Sequence, residues 1–222
     1  MSYFVTGTDT GVGKTYITRL LLEGMREAGI RAVGCKPLAC GDRDDAAIIA
    51  AASGGLELDV VNPVYYPSPL APYVAGLLEN RPIEPKSLLG HCREMMASHD
   101  LVLVEGAGGW EVPIAPGYRI SDLATDLGLP VILVVANRLG ALNHSLLSIQ
   151  AIRARGLECA GIILNQLEDE LDTAMITNKG VIEDLCGVPL LEHLIHGQDF
   201  MPNELIEQLA TERQSDPSKP NS

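Results

Sequence analysis

Aromatic side chains are scarce in this sequence. They make up 4% of its 222 residues, with one Trp and two Phe, whereas hydrophobic residues as a whole reach 46%. That hydrophobic share excludes a disordered chain. With so few rings, the core has to be built from Leu, Ile, Val and Ala, a composition typical of sheets that are covered on both faces.

Long apolar runs and regularly spaced cysteines are also missing. The longest apolar stretch, residues 130–136, is far shorter than the roughly 20 residues that cross a bilayer. The first residues, MSYFVTGTDTG, lack the basic and apolar segments of a signal peptide. None of the five cysteines forms a C-x-x-C pair or a zinc motif, which favours free thiols in a reducing compartment. We therefore expect a cytoplasmic protein that does not bind membranes.

Basic residues are too few to balance the acidic ones. Lys and Arg number 16 against 29 Asp and Glu, so the formal net charge is -13. Such a charge repels polyanions, and nucleic acid is therefore not an expected partner. An anionic small molecule still fits this chain if its site is compact and rich in backbone N–H donors.

Apolar segments rich in β-branched residues alternate with helical patterns along the chain. Strands are predicted at residues 3–6, 31–38, 101–104, 131–136, 161–165 and 189–194. Helices are predicted near residues 14–28, 45–52, 73–79, 86–98, 120–127, 142–154, 174–186 and 204–213. The proline-containing segment 54–72 is predicted to be a loop, in which residues 60–66 are a candidate extended stretch.

This alternation predicts the fold class. It indicates an α/β protein with a single domain, built on a mainly parallel β-sheet with helices on both faces. We expect that domain to span residues 1–213. A flexible polar tail is expected at residues 214–222.

A phosphate-binding pattern follows the first predicted strand. Residues 7–15, GTDTGVGKT, match G-x-x-x-x-G-K-[ST]. In such a loop the glycines let backbone N–H groups converge on phosphate oxygens, and the following helix adds its positive end. Lys14 would reach the β- and γ-phosphates, and the Thr15 hydroxyl would ligate Mg²⁺. The sequence therefore predicts a P-loop fold that binds a nucleotide, and the lack of an N-K-x-D motif favours ATP.

Charged and amide side chains stand near the ends of three further predicted strands, where ligands bind in open α/β sheets. Glu105 follows the strand ending at residue 104 and suits Mg²⁺, although a carboxylate here also fits a helix cap or a solvated loop acid. Lys36 either stabilises charge during phosphoryl transfer or extends to solvent. Asn165 either reads the nucleotide base or simply caps its strand.

Several of these segments carry a resemblance to one known family. They are residues 3–15 (YFVTGTDTGVGKT), 36–41 (KPLACG), 104–110 (VEGAGGW), 129–135 (LPVILVV), 139–144 (LGALNH) and the strand that ends at Asn165. In this order and combination, they resemble dethiobiotin synthetases. The resemblance implies carboxylation and ring closure of 7,8-diaminopelargonate with CO₂ (or bicarbonate) and MgATP, through a carbamate and a carbamic–phosphoric anhydride. It also implies a homodimer in which each active site is shared across the interface.

The resemblance assigns roles position by position. Lys36, Lys14 and Thr10 are expected to act in catalysis, and Thr15, Asp45 and Glu105 to ligate Mg²⁺. The expected nucleotide-binding residues are Gly11, Val12, Gly13, Lys14, Thr15, Tyr16, Asp45, Glu105, Gly106, Ala107, Gly108, Asn165, Gln166, Ile195, His196 and Gly197. The expected substrate-binding residues are Cys40, Gly140, Ala141, Leu142 and Asn143, the last four reaching the site from the partner subunit.

The chain departs from the family pattern at several positions. Gly11 stands where many members have Glu, Cys40 where Ser or Thr is common, and Tyr73 where His often stands. The short segment after Cys40 leaves both Asp44 and Asp45 open as the Mg²⁺ ligand, and we favour Asp45 because the predicted helix begins there.

Two other functions compete with the synthetase. A switch ATPase of the Min/Par type typically carries an extra Lys early in the phosphate loop, where this chain has Thr8. An amidating relative from cobalamin synthesis would need a glutaminase domain, for which 222 residues leave no room.

Overall fold

A twisted parallel sheet organises the chain. The computed structural model describes residues 2–211. The strands are β1 (Ser2–Gly7), β2 (Ala32–Cys35), β3 (Leu38–Cys40), β4 (Val64–Tyr66), β5 (Leu101–Gly109), β6 (Pro113–Ala115), β7 (Tyr118–Arg119), β8 (Val131–Ala136), β9 (Cys159–Asn165) and β10 (Leu190–Leu194). The helices are α1 (Lys14–Glu27), α2 (Asp44–Ala52), α3 (Leu58–Val61), α4 (Pro72–Leu78), α5 (Pro85–Ser98), α6 (Ile120–Leu127), α7 (Ala141–Ala154), α8 (Thr173–Leu185) and α9 (Asn203–Thr211).

Six of the strands form the central sheet, in the order β10-β9-β8-β1-β5-β2. Every neighbouring pair in it is parallel. Two small sheets, β3 with β4 and β6 with β7, lie outside it. Within residues 2–211, no helix is both long enough and apolar enough to cross a membrane.

The core consists of two aliphatic layers, one on each face of the sheet. Successive side chains of a strand point to opposite faces. Accordingly, Tyr3 and Val5 of β1 pack in the layer formed with α1, α2 and α9, whereas Phe4 packs in the layer formed with α5, α6, α7 and α8. All six residues of β8 are buried, which explains its unbroken apolar sequence. The predicted α/β class, with helices on both faces of a mainly parallel sheet, is confirmed.

Helix α6 and strand β8 have the predicted boundaries, and most other elements differ from prediction by one or two residues. The predicted last helix is described as far as Thr211. The predicted tail at residues 214–222 lies outside the described residues.

Three predictions about local structure are wrong. The strand predicted at 31–38 is divided between β2 and β3, because Pro37 has no N–H and the N–H of Lys36 donates to the Val61 carbonyl instead of the sheet (2.9 Å). The strand predicted at 101–104 continues to Gly109, since its small residues still pair with β1. The predicted loop 54–72 also contains α3, and its extended stretch forms β4, because its backbone groups pair with residues on either side of Pro37.

The parallel arrangement brings the functional segments to one edge of the sheet. The carboxyl ends of β1, β2, β5, β8 and β9 meet there. Each of these strands contains at its end, or is followed by, residues that the sequence analysis assigned to the site, such as the phosphate loop after β1 and Asn165 at the end of β9. The fold therefore gathers at one edge side chains that lie more than 150 residues apart in the sequence.

Gly34 is a point of close packing that can be tested. A Cβ added there would lie 2.3 Å from Cγ2 of Ile49 in α2 and 3.0 Å from Cδ1 of Leu22 in α1. We expect Gly34→Ala to lower the free energy of unfolding by about 1–3 kcal/mol, because overpacking displaces both helices. Gly90, within α5, has no atom within 4 Å of the equivalent position. Gly90→Ala should therefore raise the free energy of unfolding by about 0.5–1 kcal/mol.

Urea denaturation of the two variants beside the parent protein measures both effects. A Gly34→Ala variant as stable as the parent would contradict this account of how α1 and α2 pack on β2.

Candidate active site

The phosphate loop joins the end of β1 to the start of α1. Gly13 occupies the last position before α1 with a φ of 90°, a left-handed conformation that glycine adopts without strain. A Cβ at Gly13 would lie 2.2 Å from Nδ2 of Asn165. The loop therefore passes directly against the end of β9, and any larger residue at this position would force the two apart.

Lys14 begins α1 and points back into the loop. Its Nζ donates to the Asp9 carbonyl oxygen at 3.0 Å, and the residue is 7% exposed. Burial lowers the pKa of Lys14 to about 8, with Glu105 opposing the shift and Lys36 adding to it. An anion bound nearby would compensate the buried charge of Lys14 and so stabilise its protonated form.

Glu105 is the centre of a buried polar cluster. Its Oε1 accepts hydrogen bonds from Thr15 Oγ1 (2.8 Å) and Lys36 Nζ (2.5 Å), and its Oε2 accepts one from Thr18 Oγ1 (2.6 Å). The Glu105 side chain is completely buried. Because it lies inside β5, the interpretation of Glu105 as a loop acid or a helix cap is wrong.

Lys36 connects two carboxylates. Besides Glu105, its Nζ contacts Oδ2 of Asp45 at 2.9 Å. Burial alone would lower the pKa of Lys36, but the charges of Glu105 and Asp45 outweigh it and raise that pKa. Burial would likewise raise the pKa of Asp45, and the charge of Lys36 outweighs it and lowers that pKa. Lys36 and Asp45 are therefore both charged at neutral pH, and Lys36 does not extend to solvent.

Asp45, rather than Asp44, faces this cluster. Helix α2 begins at Asp44, one residue earlier than predicted, because the Arg43 carbonyl accepts the first helical hydrogen bond from the N–H of Ala47. Asp44 is exposed, whereas Asp45 contacts Lys36 and lines the adjoining cavity.

A cavity of about 970 Å³ opens above the cluster. The residues of the predicted site that line this cavity are Thr10, Gly11, Gly13, Lys14, Thr15, Tyr16, Lys36, Cys40, Asp45, Ala107 and Gly108. A second cavity of about 280 Å³ is lined by Gly13, Tyr16, Asn165, Gln166, Leu167, Ile195, His196 and Gly197. Since Gly13 and Tyr16 line both, the two cavities adjoin.

The smaller cavity combines apolar walls with a fixed side-chain amide. Leu167 and Ile195 provide apolar walls, and Asn165 provides an amide at its inner end. The amide is fixed, because Nδ2 of Asn165 donates to the Val12 carbonyl at 3.0 Å. The hydroxyl of Tyr16 donates to the Gln198 carbonyl, which ties α1 to the segment that flanks this cavity.

Comparison with known proteins identifies the family. A protein-family model described as an AAA domain matches residues 1–198. The ATP-dependent dethiobiotin synthetase BioD of Akkermansia muciniphila is 50% identical over 206 residues, which cover 92% of this chain and 97% of that protein. The chain belongs to the dethiobiotin synthetase family. The protein of the same name from Bacillus subtilis is 38% identical over 199 residues, covering 85% of this chain and 84% of that protein.

Solved structures with the same fold are more distant in sequence than these dethiobiotin synthetases. A MinC:MinD cell division protein complex from Aquifex aeolicus superposes with a TM-score of 0.60 at 14% identity, covering 100% of this chain and 98% of that chain. At this identity the likeness shows the P-loop fold alone. The family membership rests on far higher identity over most of the chain. It therefore favours the synthetase over the Min/Par switch ATPase.

Some residues predicted from the dethiobiotin synthetase family do not line either cavity of this chain. Val12 and Gly106 are buried behind the cavity walls. Glu105 is buried beneath the larger cavity and is not among the residues that line it. The four residues at the start of α7, Gly140, Ala141, Leu142 and Asn143, also line neither cavity.

Other residues of the site were missed from the sequence. Thr18 lies one helical turn after Thr15, and this i, i+3 spacing was the available signal for a second hydroxyl facing Glu105. Arg19, Ile48, Leu70 and Pro72 also line the larger cavity, and no pattern in the sequence marked them.

Substitution of Lys36 tests the role of its ammonium in phosphoryl transfer. We expect Lys36→Gln to lower kcat at least about 100-fold, because charge that develops during phosphoryl transfer loses its ammonium partner. The Kd of a fluorescent ADP analogue should change less than about threefold, since Lys14 and the loop still hold the phosphates. Lys86→Gln, which removes an exposed lysine of α5, is the matched control. Equal losses of kcat and nucleotide affinity would make Lys36 a binding residue only.

Cys40 carries a test of pH dependence. Burial, with a smaller contribution from Glu79, raises the pKa of its thiol from 9.0 to about 11. Only the thiolate reacts with iodoacetamide, so alkylation at pH 7.5 should be about 100-fold slower than that of an exposed thiol. Below the pKa the rate should rise about tenfold for each pH unit.

Peptide mass spectrometry measures this alkylation. Cys40→Ser is the control, because the other four cysteines are buried and should take up almost no label in the same time. A labelling rate that levels off below pH 9 would contradict the raised pKa.

Proposed function

We propose that this chain synthesises dethiobiotin from 7,8-diaminopelargonate, CO₂ and ATP, releasing ADP and phosphate. The observation that carries the proposal is the placement of Lys36. Its ammonium is fixed between Glu105 and Asp45 and lines the cavity into which the phosphate loop opens. The names of the relatives support the same reaction.

The reaction has three bond-forming steps. One substrate amine attacks CO₂, forms an N–C bond and loses a proton, giving a carbamate. A carbamate oxygen then attacks the γ-phosphorus of ATP, and the bond between that phosphorus and the oxygen of ADP breaks. Finally, the second amine attacks the carbonyl carbon of this mixed anhydride and loses a proton, phosphate leaves with the electron pair of its C–O bond, and the cyclic urea closes.

No step of this reaction requires a covalent bond to the protein. The demands are correct placement of two amines and a phosphate, and positive charge where oxygen atoms become anionic. Lys14 and the loop N–H groups would hold the β- and γ-phosphates, with Thr10 and Gly11 beside them. Lys36 would face the carbamate and the γ-phosphate, and Cys40 would contact the substrate from the wall of the same cavity.

The oxygen atoms around Lys36 fit Mg²⁺ chemically. Thr15 offers a hydroxyl and Asp45 and Glu105 offer carboxylates, which are the hard ligands that this ion prefers. Residues 2–211 contain no group of three His, Cys, Asp or Glu side chains arranged to hold a metal, so phosphate oxygens and water would complete the shell. When bound, Mg²⁺ would neutralise charge on the triphosphate.

The nucleotide base is assigned to the smaller cavity. Asn165 and Gln166 would contact the polar edge of adenine, and Ile195, His196 and Gly197 would flank its ring. The apolar walls and the fixed Asn165 amide support this assignment.

We further propose a homodimer with shared sites. Residues 140–143 of one subunit would hold the substrate carboxylate in its partner's cavity, through the N–H groups at the start of α7. Two groups of exposed apolar side chains support such an interface. Leu139, just before α7, is 81% exposed, and Leu77 and Leu78 at the end of α4, whose first residue lines the large cavity, are 60% and 69% exposed.

A cytoplasmic location is also part of the proposal. All five cysteines are free thiols, and four of them are buried. Unpaired thiols persist in a reducing compartment, where the biosynthesis of small metabolites takes place.

The decisive experiment measures fixation of ¹⁴C-bicarbonate by the purified protein with ATP, Mg²⁺ and 7,8-diaminopelargonate. We expect acid-stable label in a product that depends on both ATP and the diamine. Reactions that lack each reactant in turn are the controls. Only acid-stable label is counted, because a carbamate alone loses its label in acid. Steady ATP hydrolysis without fixation, stimulated by lipid or DNA, would instead support a switch ATPase.

A further inference from the structure

The backbone of Lys36 is held from two sides after it leaves the sheet. Strand β2 ends at Cys35, and the N–H of Lys36 donates to the carbonyl of Val61, at the end of α3, at 2.9 Å. Its own carbonyl accepts a hydrogen bond from Nδ2 of Asn62 at 2.8 Å. Val61 and Asn62 therefore fix both peptide groups of the residue that carries the ammonium.

The side chain of Asn62 has only one orientation that satisfies all its polar atoms. Besides Lys36, Nδ2 donates to the Val64 carbonyl at 3.0 Å, and Oδ1 accepts from Nε of Arg43 at 3.0 Å. Asn62 is 1% exposed, so no solvent replaces any of these partners. Both amide hydrogens and the amide oxygen are thus used within the protein.

Arg43 connects this amide to the other side of the cluster. It is the residue just before α2, and its Nη2 donates to the Asn62 carbonyl at 2.7 Å. Its own carbonyl accepts the first hydrogen bond of α2. Asp45 lies two residues after Arg43. The side-chain amide of Asn62 therefore fixes the backbone of Lys36 directly and, through Arg43, the start of the helix that carries Asp45.

We propose that Asn62 and Arg43 are positioning residues for the reaction, which hold Lys36 and Asp45 in register across the mouth of the cavity. Neither residue lines either of the two cavities described above, so neither is expected to touch substrate or nucleotide. Their effect is exerted through the ammonium of Lys36, whose long side chain needs a fixed backbone to place its charge. The inference rests on the proposed function, in which Lys36 faces the reacting phosphate.

Asn62→Ala and Arg43→Gln test this inference. Displacing a reacting group by about 1 Å is enough to cost about 100-fold in rate, so each variant should lower kcat about 10- to 100-fold. The Kd of a fluorescent ADP analogue should change less than about threefold. The control is Asp59→Asn, which removes the charge of an exposed carboxylate that lies 2.9 Å from Nη2 of Arg43. It should leave kcat within about twofold of the parent.

A double-mutant cycle separates positioning from general damage to the fold. If Asn62 acts through Lys36, then Asn62→Ala should change the residual single-turnover rate of Lys36→Gln less than about twofold. The same fold-loss in both backgrounds, or unchanged kcat in both single variants, would overturn the proposal. Thermal melting identifies a variant that fails to fold. If Asn62→Ala does not fold, the same cycle with Arg43→Gln, at a partly exposed residue, decides the outcome.

The parent protein distinguishes this inference from the proposed function. If the parent fixes no bicarbonate, the proposed function fails. If the parent is active and the cycle is additive, only the positioning role fails.

Discussion

The carboxylate of Glu105 accepts three hydrogen bonds in the interior of the protein, from Thr15 and Thr18 of α1 and from Lys36 after β2. A buried carboxylate without partners is strongly destabilising, so α1 and the segment after β2, which supply these donors, are bound to β5 and to each other through it. Removal of Lys36 would leave the charge of Glu105 uncompensated below the cavity, and removal of either threonine hydroxyl would leave one of its oxygens with a hydrogen bond unmade. The same contacts that stabilise the folded chain thus fix the position of Lys36 relative to the phosphate loop.

The parallel topology makes this cluster possible. In the order β8-β1-β5-β2, the phosphate loop after β1 lies next to Glu105 in β5, and Lys36 follows the adjacent strand. Neighbouring strands are about 4.8 Å apart, a spacing that side chains of this length can bridge. The acidic surface of the chain does not oppose an anionic ligand here, because Lys14 and Lys36 both line the cavity with the backbone of the loop.

Local patterns predicted those parts of the protein whose structure is decided locally. The phosphate loop, the buried strand β8 and the amphipathic α6 were predictable because their glycines, unbroken apolar run and helical period act within a few residues. The path after Lys36 was not, because it depends on hydrogen bonds to Val61 and Asn62, in a proline-containing segment that reads as a loop. The same limit applies to Thr18 and to the choice between Asp44 and Asp45, which Glu105 and Lys36 decide from distant parts of the chain.

Gly13 is in contact with the amide of Asn165, so the end of the phosphate loop and the inner end of the smaller cavity share a wall. Under the proposed function, a nucleotide with its base against Asn165 and its phosphates in the loop would span a fixed length. Only a chain with the right number of phosphates would then bring its last phosphorus to Lys36, and a diphosphate bound in the same way would end short of that ammonium. Such a site would distinguish ADP from ATP by length, without any movement of a domain.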